Sequence, residues 1–222
     1  MAERPIFIPK PDSPRLVHEV YLQLTWHPGF AAVQKTRNIK ALHTAANAAG
    51  YRVLEVSTKS ESPLGQQLSA FNLKVKTERW GEIPLECAFQ GGKVFEHGGP
   101  YTDLYQAEPR DAKRDLRLTG SGQLTGFRFD DFEFPTEPKT VFYDWLYLGC
   151  IYRRQEMTGE LEQYSGFSDI EFNPQRSINC QARSVALFVS LNKRRQLDEA
   201  MKSATDFIRI ISASTYRPRL RQ

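Results

Sequence analysis

The chain has 222 residues, of which 40% are hydrophobic and 25% charged, and its formal net charge is +4 at pH 7. These values are typical of globular proteins and allow one sizeable domain. No apolar run reaches the roughly 18 residues that span a bilayer, which excludes a transmembrane protein and argues against a membrane partner.

Two further features bear on location. The first residues contain no basic stretch followed by an apolar core, so we expect no secretory signal. The cysteines Cys87, Cys150 and Cys180 are widely separated and odd in number. This usage predicts a reducing, cytoplasmic environment rather than a disulfide framework.

The excess positive charge is concentrated at the C-terminal end. Residues 193–222 contain eight basic and three acidic side chains, a net charge of +5. Such a patch can bind the phosphates of a nucleic acid. A solvated helix face followed by a basic tail explains the same composition without a ligand.

The first quarter of the chain predicts strands around one helix. The proline-rich first ten residues are expected to be extended, and Val17–Leu24 alternates like a strand. A helix is predicted over residues 31–49, ended by Gly50, and a strand over residues 52–56. The residues expected to face inward from this helix are Ile39, Leu42, Ala46 and Ala49.

A polar loop (57–65), a short apolar piece (68–73) and a turn (80–84) lead into a predicted helix over residues 85–96. At 100° per residue, this helix places Glu86, Gln90 and Lys93 on one face, at positions i, i+4 and i+7. An acid and an amine on an otherwise apolar helix indicate either a structural ion pair or an active site.

The second half predicts mostly helices. They cover residues 108–115, 141–152, 177–191 and 196–211, and Ser177 is the expected cap of the third. Residues 120–122 and 130–134 are expected to form a loop or short strands. Residues 168–172 alternate like a strand that places Asp169 and Glu171 on one side. The whole predicts a single, mostly helical α+β domain.

Standard catalytic signatures are missing from the sequence. The four histidines show no metal-ligand spacing and the cysteines form no C-x-x-C pair, so we predict no metal site. No phosphate-binding loop, dinucleotide fingerprint or nucleophile elbow occurs. The remaining candidates are polar residues on apolar elements: Ser69, Asn72, Glu86, Lys93, Asp169, Ser177 and Asn179.

The predicted helix start at Ser177 is a candidate anion site. Helix N-termini attract anions because their first N–H groups are unpaired, and Arg176 would stand beside a bound phosphate or pyrophosphate. Plain capping by Ser177, with Arg176 in solvent, is the alternative. Two interpretations also stay open for Phe71 and Trp145, namely packing in the core and stacking on a base.

An ordered series of motifs resembles the NADAR family. The series comprises Ser-Ala-Phe-Asn at 69–72, the turn at 80–84, Glu-x-x-Phe-Gln-x-x-Lys-x-Phe at 86–95, the helix at 109–114, and Asp169 with Asn179. The segments 95–101, 142–147 and 178–183 are similar to the NADAR antitoxins encoded beside DarT-type DNA ADP-ribosyltransferase toxins.

The resemblance implies an antitoxin-type hydrolase that removes ADP-ribose from guanine bases of single-stranded DNA. It would cut the N-glycosidic bond between ribose and the guanine exocyclic amine, without metal or cofactor. A carboxylate can stabilise the positive charge that develops at the anomeric carbon, and a desolvated lysine can attack an opened ribose. Two roles stay open for Lys93: this nucleophilic attack, or protonating or orienting the leaving group.

The resemblance, with the helix-end argument for Arg176 and Ser177, gives three sets of residues. The catalytic set is Glu86, Lys93 and Asp169. The ADP-ribose-binding set is Ser69, Phe71, Asn72, Gln90, Trp145, Arg176, Ser177 and Asn179. The nucleic-acid-binding set, taken from the basic tail, is Arg217, Arg219 and Arg221.

The expected partners are ADP-ribosylated single-stranded DNA and the cognate toxin. The expected parts are an N-terminal extension (1–56), a NADAR-like catalytic domain (57–192) and a basic C-terminal helix and tail (193–222) of the same domain. Two alternatives stay open. One is a non-catalytic module that sequesters modified nucleic acid or toxin, and the other is an N-glycosidase acting on a small phosphorylated metabolite.

Overall fold

The computed structural model describes residues 1–29, 31–154, 156–175 and 177–214. The chain forms two compact units from non-contiguous segments. The first unit contains Met1–Ser69 and Arg154–Leu197, and the second contains Ala70–Arg153 and Asp198–Ala213. The α+β class predicted from the sequence is confirmed. The predicted boundaries at residues 56 and 192 stay a prediction.

Helices and short strands follow one another along the described residues. The strands are β1 (Ala2–Pro9), β2 (Val17–Leu24), β3 (Val53–Glu55), β4 (Lys74–Thr77), β5 (Gly81–Pro84), β6 (Lys93–Phe95), β7 (Leu124–Phe129), β8 (Phe132–Phe134) and β9 (Gly166–Ser168). The helices are α1 (Ala32–Ala48), α2 (Pro63–Gln67), α3 (Leu85–Gly91), α4 (Pro109–Arg114), α5 (Arg117–Gly120), α6 (Val141–Tyr152), α7 (Glu156–Leu161), α8 (Gln181–Lys193), α9 (Leu197–Ala200) and α10 (Ala204–Ala213). A 3-10 helix covers Thr102–Gln106.

The first unit is built on a four-stranded sheet with the order β2–β1–β9–β3. β1 and β2 pair antiparallel along their whole length, whereas β3 and β9 pair in parallel. In that parallel pair Glu55 lies opposite Ser168. The register therefore places an acidic side chain beside the residue that precedes Asp169.

Helix α1 packs an apolar stripe on this sheet. Its buried residues Ile39, Leu42 and Ala46 recur at helical spacing and form one core with strand residues, as the sequence predicts. Ala49 is exposed, so its predicted inward orientation is wrong. It follows the last helical residue, and Gly50 with φ of 82° turns the chain away. The strand residues of this core are Ile6, Ile8, Leu22, Leu24 and Val53.

The second unit has an aromatic core around α6. The Phe142 ring stacks on Phe127 at 4.8 Å and contacts Phe134 at 5.0 Å. These rings lie on α6, β7 and β8, and β6 completes the same three-stranded sheet. Large rings that bury their surfaces together stabilise this small sheet, and α3 adds Phe89 to it.

Several predicted elements are confirmed and several are wrong at their ends. Val17–Leu24 and Val141–Tyr152 have the predicted bounds. The helix predicted over residues 85–96 ends at Gly91, and the predicted strand at 168–172 is β9 followed by a turn. The predicted last helix is two helices, because Ser203 caps α10 by accepting the Asp206 N–H at 3.0 Å.

The helix predicted to begin at Ser177 begins at Gln181, with Cys180 at the N-cap. The Ser177 hydroxyl donates to the Asn179 carbonyl at 3.1 Å instead of accepting from a helical N–H. The capping prediction for Ser177 is therefore wrong. No helix among the described residues combines the length and apolar character needed to cross a bilayer.

Candidate active site

In the second unit, three of the predicted site residues form one hydrogen-bonded chain. The Gln90 Nε2 donates to Glu86 Oε1 at 2.8 Å, and Lys93 Nζ donates to Gln90 Oε1 at 2.6 Å. Gln90 is 5% exposed, so its amide has little freedom to rotate. The acid and the amine are thus held by one amide, each at the end that suits its charge.

The helix that carries Glu86 and Gln90 ends before Lys93. A Cβ at Gly91 would lie 2.6 Å from Tyr105 Cε1, and one at Gly92 would lie 2.7 Å from Phe142 Cζ. The two glycines therefore let aromatic rings approach the backbone closely. Lys93 is the first residue of β6, so its amine extends toward Glu86 from the strand and not from the helix.

The surroundings of Lys93 favour its neutral amine more than water does. Burial lowers its pKa, Glu86 raises it, and Lys113 lowers it again. The amine also lies 4.9 Å from the centre of the Phe89 ring. Cys87 is a poor nucleophile, because burial raises the pKa of its thiol to about 11.

In the first unit, a buried carboxyl group that sequence reasoning missed lies next to Asp169. Glu55 is 2% exposed and accepts three hydrogen bonds. Its Oε1 receives the Ser57 hydroxyl at 2.8 Å and the Ile170 N–H at 2.9 Å, and its Oε2 receives the Ser168 hydroxyl at 2.6 Å. A single acid inside the apolar strand 52–56 was the available sequence signal, since buried acids need partners.

Asp169 lies in a turn, with its side chain partly exposed. Its Oδ1 accepts the Glu171 N–H at 3.0 Å and its Oδ2 accepts Gln181 Nε2 at 3.0 Å. The turn is closed by the Phe172 N–H, which donates to the Asp169 carbonyl at 3.1 Å. Burial and the Glu55 carboxylate raise the pKa of Asp169 to about 8, so its neutral form dominates at pH 7.

The predicted ADP-ribose-binding residues fall in several environments. The Ser69 hydroxyl and the Asn179 Oδ1 are buried and have no hydrogen-bond partner. Phe71 is 52% exposed and Asn72 is exposed. Trp145 packs on Phe134 at 5.0 Å, within the aromatic core.

The remaining predicted residues lie outside the described residues. They are Arg176, Arg217, Arg219 and Arg221. Among the described residues, no group of three or more His, Cys, Asp or Glu side chains could hold a metal ion. All three cysteines are free and buried.

The candidate residues thus form two groups. Glu86, Gln90 and Lys93 are joined by hydrogen bonds in the second unit. Glu55 and Asp169 lie in the first unit, and each is hydrogen-bonded to partners of its own. A family model described as DarT1-associated NADAR antitoxin matches residues 2–219 of the chain. No curated protein matches it. The chain belongs to the family of DarT1-associated NADAR antitoxins.

Proposed function

We propose that this member of the DarT1-associated NADAR antitoxins is a hydrolase that removes ADP-ribose from guanine bases of single-stranded DNA. The observation that carries the proposal is the chain Glu86–Gln90–Lys93, with contacts of 2.8 and 2.6 Å. Cleavage of an N-glycosidic bond needs a carboxylate for the developing positive charge and a group that handles the leaving amine. The three hydrogen-bonded residues supply the carboxylate and the second group in a fixed orientation.

In the proposed reaction, the guanine exocyclic amine is the leaving group. Ring opening breaks the C1–O4 bond of the ribose and leaves C1 doubly bonded to the guanine nitrogen, whose proton moves to O4. The neutral Lys93 amine then adds to C1, its two protons pass to the guanine nitrogen, and the bond from C1 to guanine breaks to leave a lysine imine. Water then adds to the lysine imine, Glu86 accepts its proton, and ADP-ribose and free Lys93 result. The lowered pKa of Lys93 supports this nucleophilic role, because only the neutral amine attacks.

Asp169 is proposed to bind a ribose hydroxyl or the hydrolytic water. With a pKa raised to about 8 by burial and Glu55, its carboxyl group can donate a hydrogen bond at neutral pH. The buried, unpartnered oxygens of Ser69 and Asn179 support their proposed contacts with ADP-ribose, since such atoms are uncommon without a ligand or water.

The proposed partners follow from the substrate and from the family. The family description associates these antitoxins with DarT1, so we propose that the chain acts in the cytoplasm to reverse the modification that this toxin makes. Arg217, Arg219 and Arg221 are proposed to bind DNA phosphates. Deleting residues 215–222 should then weaken binding at low salt and reduce the salt dependence by about two in log–log slope.

The first test measures ADP-ribose release from an ADP-ribosylated guanine oligonucleotide at substrate excess. Glu86→Ala and Lys93→Ala should each lower turnover by about 10³-fold or more. The surface pair Lys76 and Glu82, whose charged atoms lie 3.4 Å apart in the same unit, gives matched controls as Lys76→Ala and Glu82→Ala. Retained tight binding without release in the wild type would indicate a sequestering module instead.

A second test separates the roles open to Lys93. Cyanoborohydride added during turnover should reduce the imine and leave ADP-ribose covalently attached to Lys93, which peptide mass spectrometry detects. Turnover that depends on Lys93 without any trapped adduct would assign the amine to protonating or orienting the leaving group.

A further inference from the structure

Glu55 is a buried acid that the proposed reaction does not use. Its side chain is 2% exposed and both of its oxygens accept hydrogen bonds from the protein, whereas Asp169 keeps part of its surface accessible. A buried carboxyl group costs free energy unless hydrogen bonds compensate for its lost hydration. The chain nevertheless places one in the short strand β3.

Glu55 accepts hydrogen bonds from the two residues that flank Asp169 in the sequence. Ser168 donates its hydroxyl from the residue before Asp169, and Ile170 donates its backbone N–H from the residue after it. The parallel pairing of β3 with β9, which sets Glu55 opposite Ser168, makes both contacts possible. One carboxyl group therefore fixes the backbone on both sides of Asp169.

We propose that Glu55 is a positioning residue for Asp169: it holds the turn in place, and the two carboxyl groups titrate as one pair. This inference rests on the role proposed above for Asp169. Like charges at short range oppose ionisation of both acids, so such a pair releases its two protons in separate steps.

The charges around the pair favour this behaviour. Burial raises the pKa of Glu55, and burial together with Glu55 raises that of Asp169 to about 8. Glu171, which forms an ion pair with Lys35, adds a smaller increase in the pKa of Asp169. The Cys180 thiol stays neutral because burial raises its pKa.

A second cation, Arg183, acts on Cys180 and lowers the pKa of its thiol. No cation among the described residues lowers the pKa of Asp169. Asp169, with a pKa of about 8, therefore retains its proton at neutral pH, whereas the three hydrogen bonds that Glu55 accepts lower the pKa of Glu55 against the effect of burial.

A hydrogen-bonded chain connects this pair to a cavity of about 440 Å³ in the first unit. The cavity is lined by Glu55 and by His43, whose Nε2 lies 3.2 Å from the Ser168 hydroxyl. Ser168 in turn donates to Glu55 at 2.6 Å. Burial lowers the pKa of His43 and Glu61 raises it, and this imidazole ends the hydrogen-bonded chain at the wall of the cavity.

The test is a carbon-13 NMR titration of the Asp169 carboxyl group in the full chain. Replacing Glu55 with Gln keeps the size of the side chain and removes the acid. We expect Glu55→Gln to lower the pKa of Asp169 by at least about one pH unit. Glu162→Gln, at an exposed residue of the same unit whose carboxylate accepts Asn192 Nδ2 at 3.0 Å, should leave it unchanged.

Ser168→Ala is the second variant, for the case that Glu55→Gln does not fold. Losing the Ser168 hydroxyl makes ionised Glu55 less favourable, so Glu55 takes the proton more often and Asp169 ionises at a lower pH. An Asp169 titration that matches the wild type in the variants that fold would overturn the inference.

Turnover gives an independent readout. The pH dependence of ADP-ribose release should shift in Glu55→Gln by the amount measured for Asp169, and this limb should vanish in Asp169→Asn. A wild type without any release would reject the proposed function. The NMR titration would still decide whether the two carboxyl groups form a pair, so the two failures are distinguishable.

Discussion

Burial disfavours the charged form of both Lys93 and Asp169, but the neighbouring acid has opposite effects in the two places. Glu86 raises the pKa of Lys93 and so opposes the effect of burial. Glu55 raises the pKa of Asp169 and so adds to it. The second unit thus holds an opposite-charge pair bridged by an amide, and the first holds a like-charge pair.

The difference shows how one physical cause gives two kinds of reactive group. A neighbouring acid opposes the loss of the amine's proton that burial favours, so the pKa of Lys93 falls less than burial alone would lower it. A second acid nearby adds to the effect of burial and raises the pKa of an acid above neutral pH, so that its carboxyl group keeps a proton and can donate a hydrogen bond. Removing the neighbour should move Lys93 further from its ordinary pKa and bring Asp169 back toward its own.

The largest expected effect comes from Lys93→Arg. Arginine keeps the positive charge but cannot become neutral, so turnover should fall about 10³-fold or more if the amine is the nucleophile. Lys76→Arg, at an exposed lysine of the same unit, controls for the change of side chain. Turnover near the wild-type rate in Lys93→Arg would mean that a fixed cation is sufficient.

Gln90→Leu should give the next largest effect. It removes the amide that holds Glu86 and Lys93, and misplacing reactive groups by about 1 Å costs roughly 10²-fold in rate. Gln123→Leu is the control, because that side chain is exposed in the same unit. If Gln90→Leu kept full turnover with an unchanged melting temperature, the bridge would be irrelevant to catalysis.

Glu55→Ala should lower the free energy of unfolding by about 2 kcal/mol, because the Ser57, Ser168 and Ile170 donors lose their acceptor. Urea denaturation followed by circular dichroism measures this change. Glu61→Ala should stay within about 0.5 kcal/mol, since exposed ion pairs contribute little. A loss at Glu55 no larger than that would argue against the clamp on the Asp169 turn.

The sequence predicted the opposite-charge pair because all its members lie within eight residues. Helical spacing brought Glu86, Gln90 and Lys93 to one face, and the structure keeps them together although the helix ends at Gly91. Helical spacing alone did not give the end at Gly91. The close approach of the Tyr105 and Phe142 rings to Gly91 and Gly92 is tertiary, and no local pattern reveals it.

The like-charge pair could not be predicted in the same way. Glu55 and Asp169 are far apart in the sequence and meet through a parallel strand pair whose register no local pattern reveals. The strand predicted at residues 168–172 failed for a related reason. Asp169 accepts the Glu171 N–H and closes a turn, a local competition that short polar side chains often win over strand pairing.

The pH dependence of stability should differ in sign between the two pairs. Folded Asp169, with a pKa of about 8, binds a proton between about pH 4 and 8 that the unfolded chain releases, so stability should fall as pH rises through this window. One such proton gives a slope of at most about 1.4 kcal/mol per pH unit, and Asp169→Asn should flatten it. Lys93 acts in the opposite sense, because its lowered pKa makes the unfolded chain bind more protons at alkaline pH, and Lys93→Met should remove that rise. Urea midpoints measured from pH 5 to 10 test both signs, and a slope unchanged in Asp169→Asn would contradict the coupling of Asp169 to Glu55.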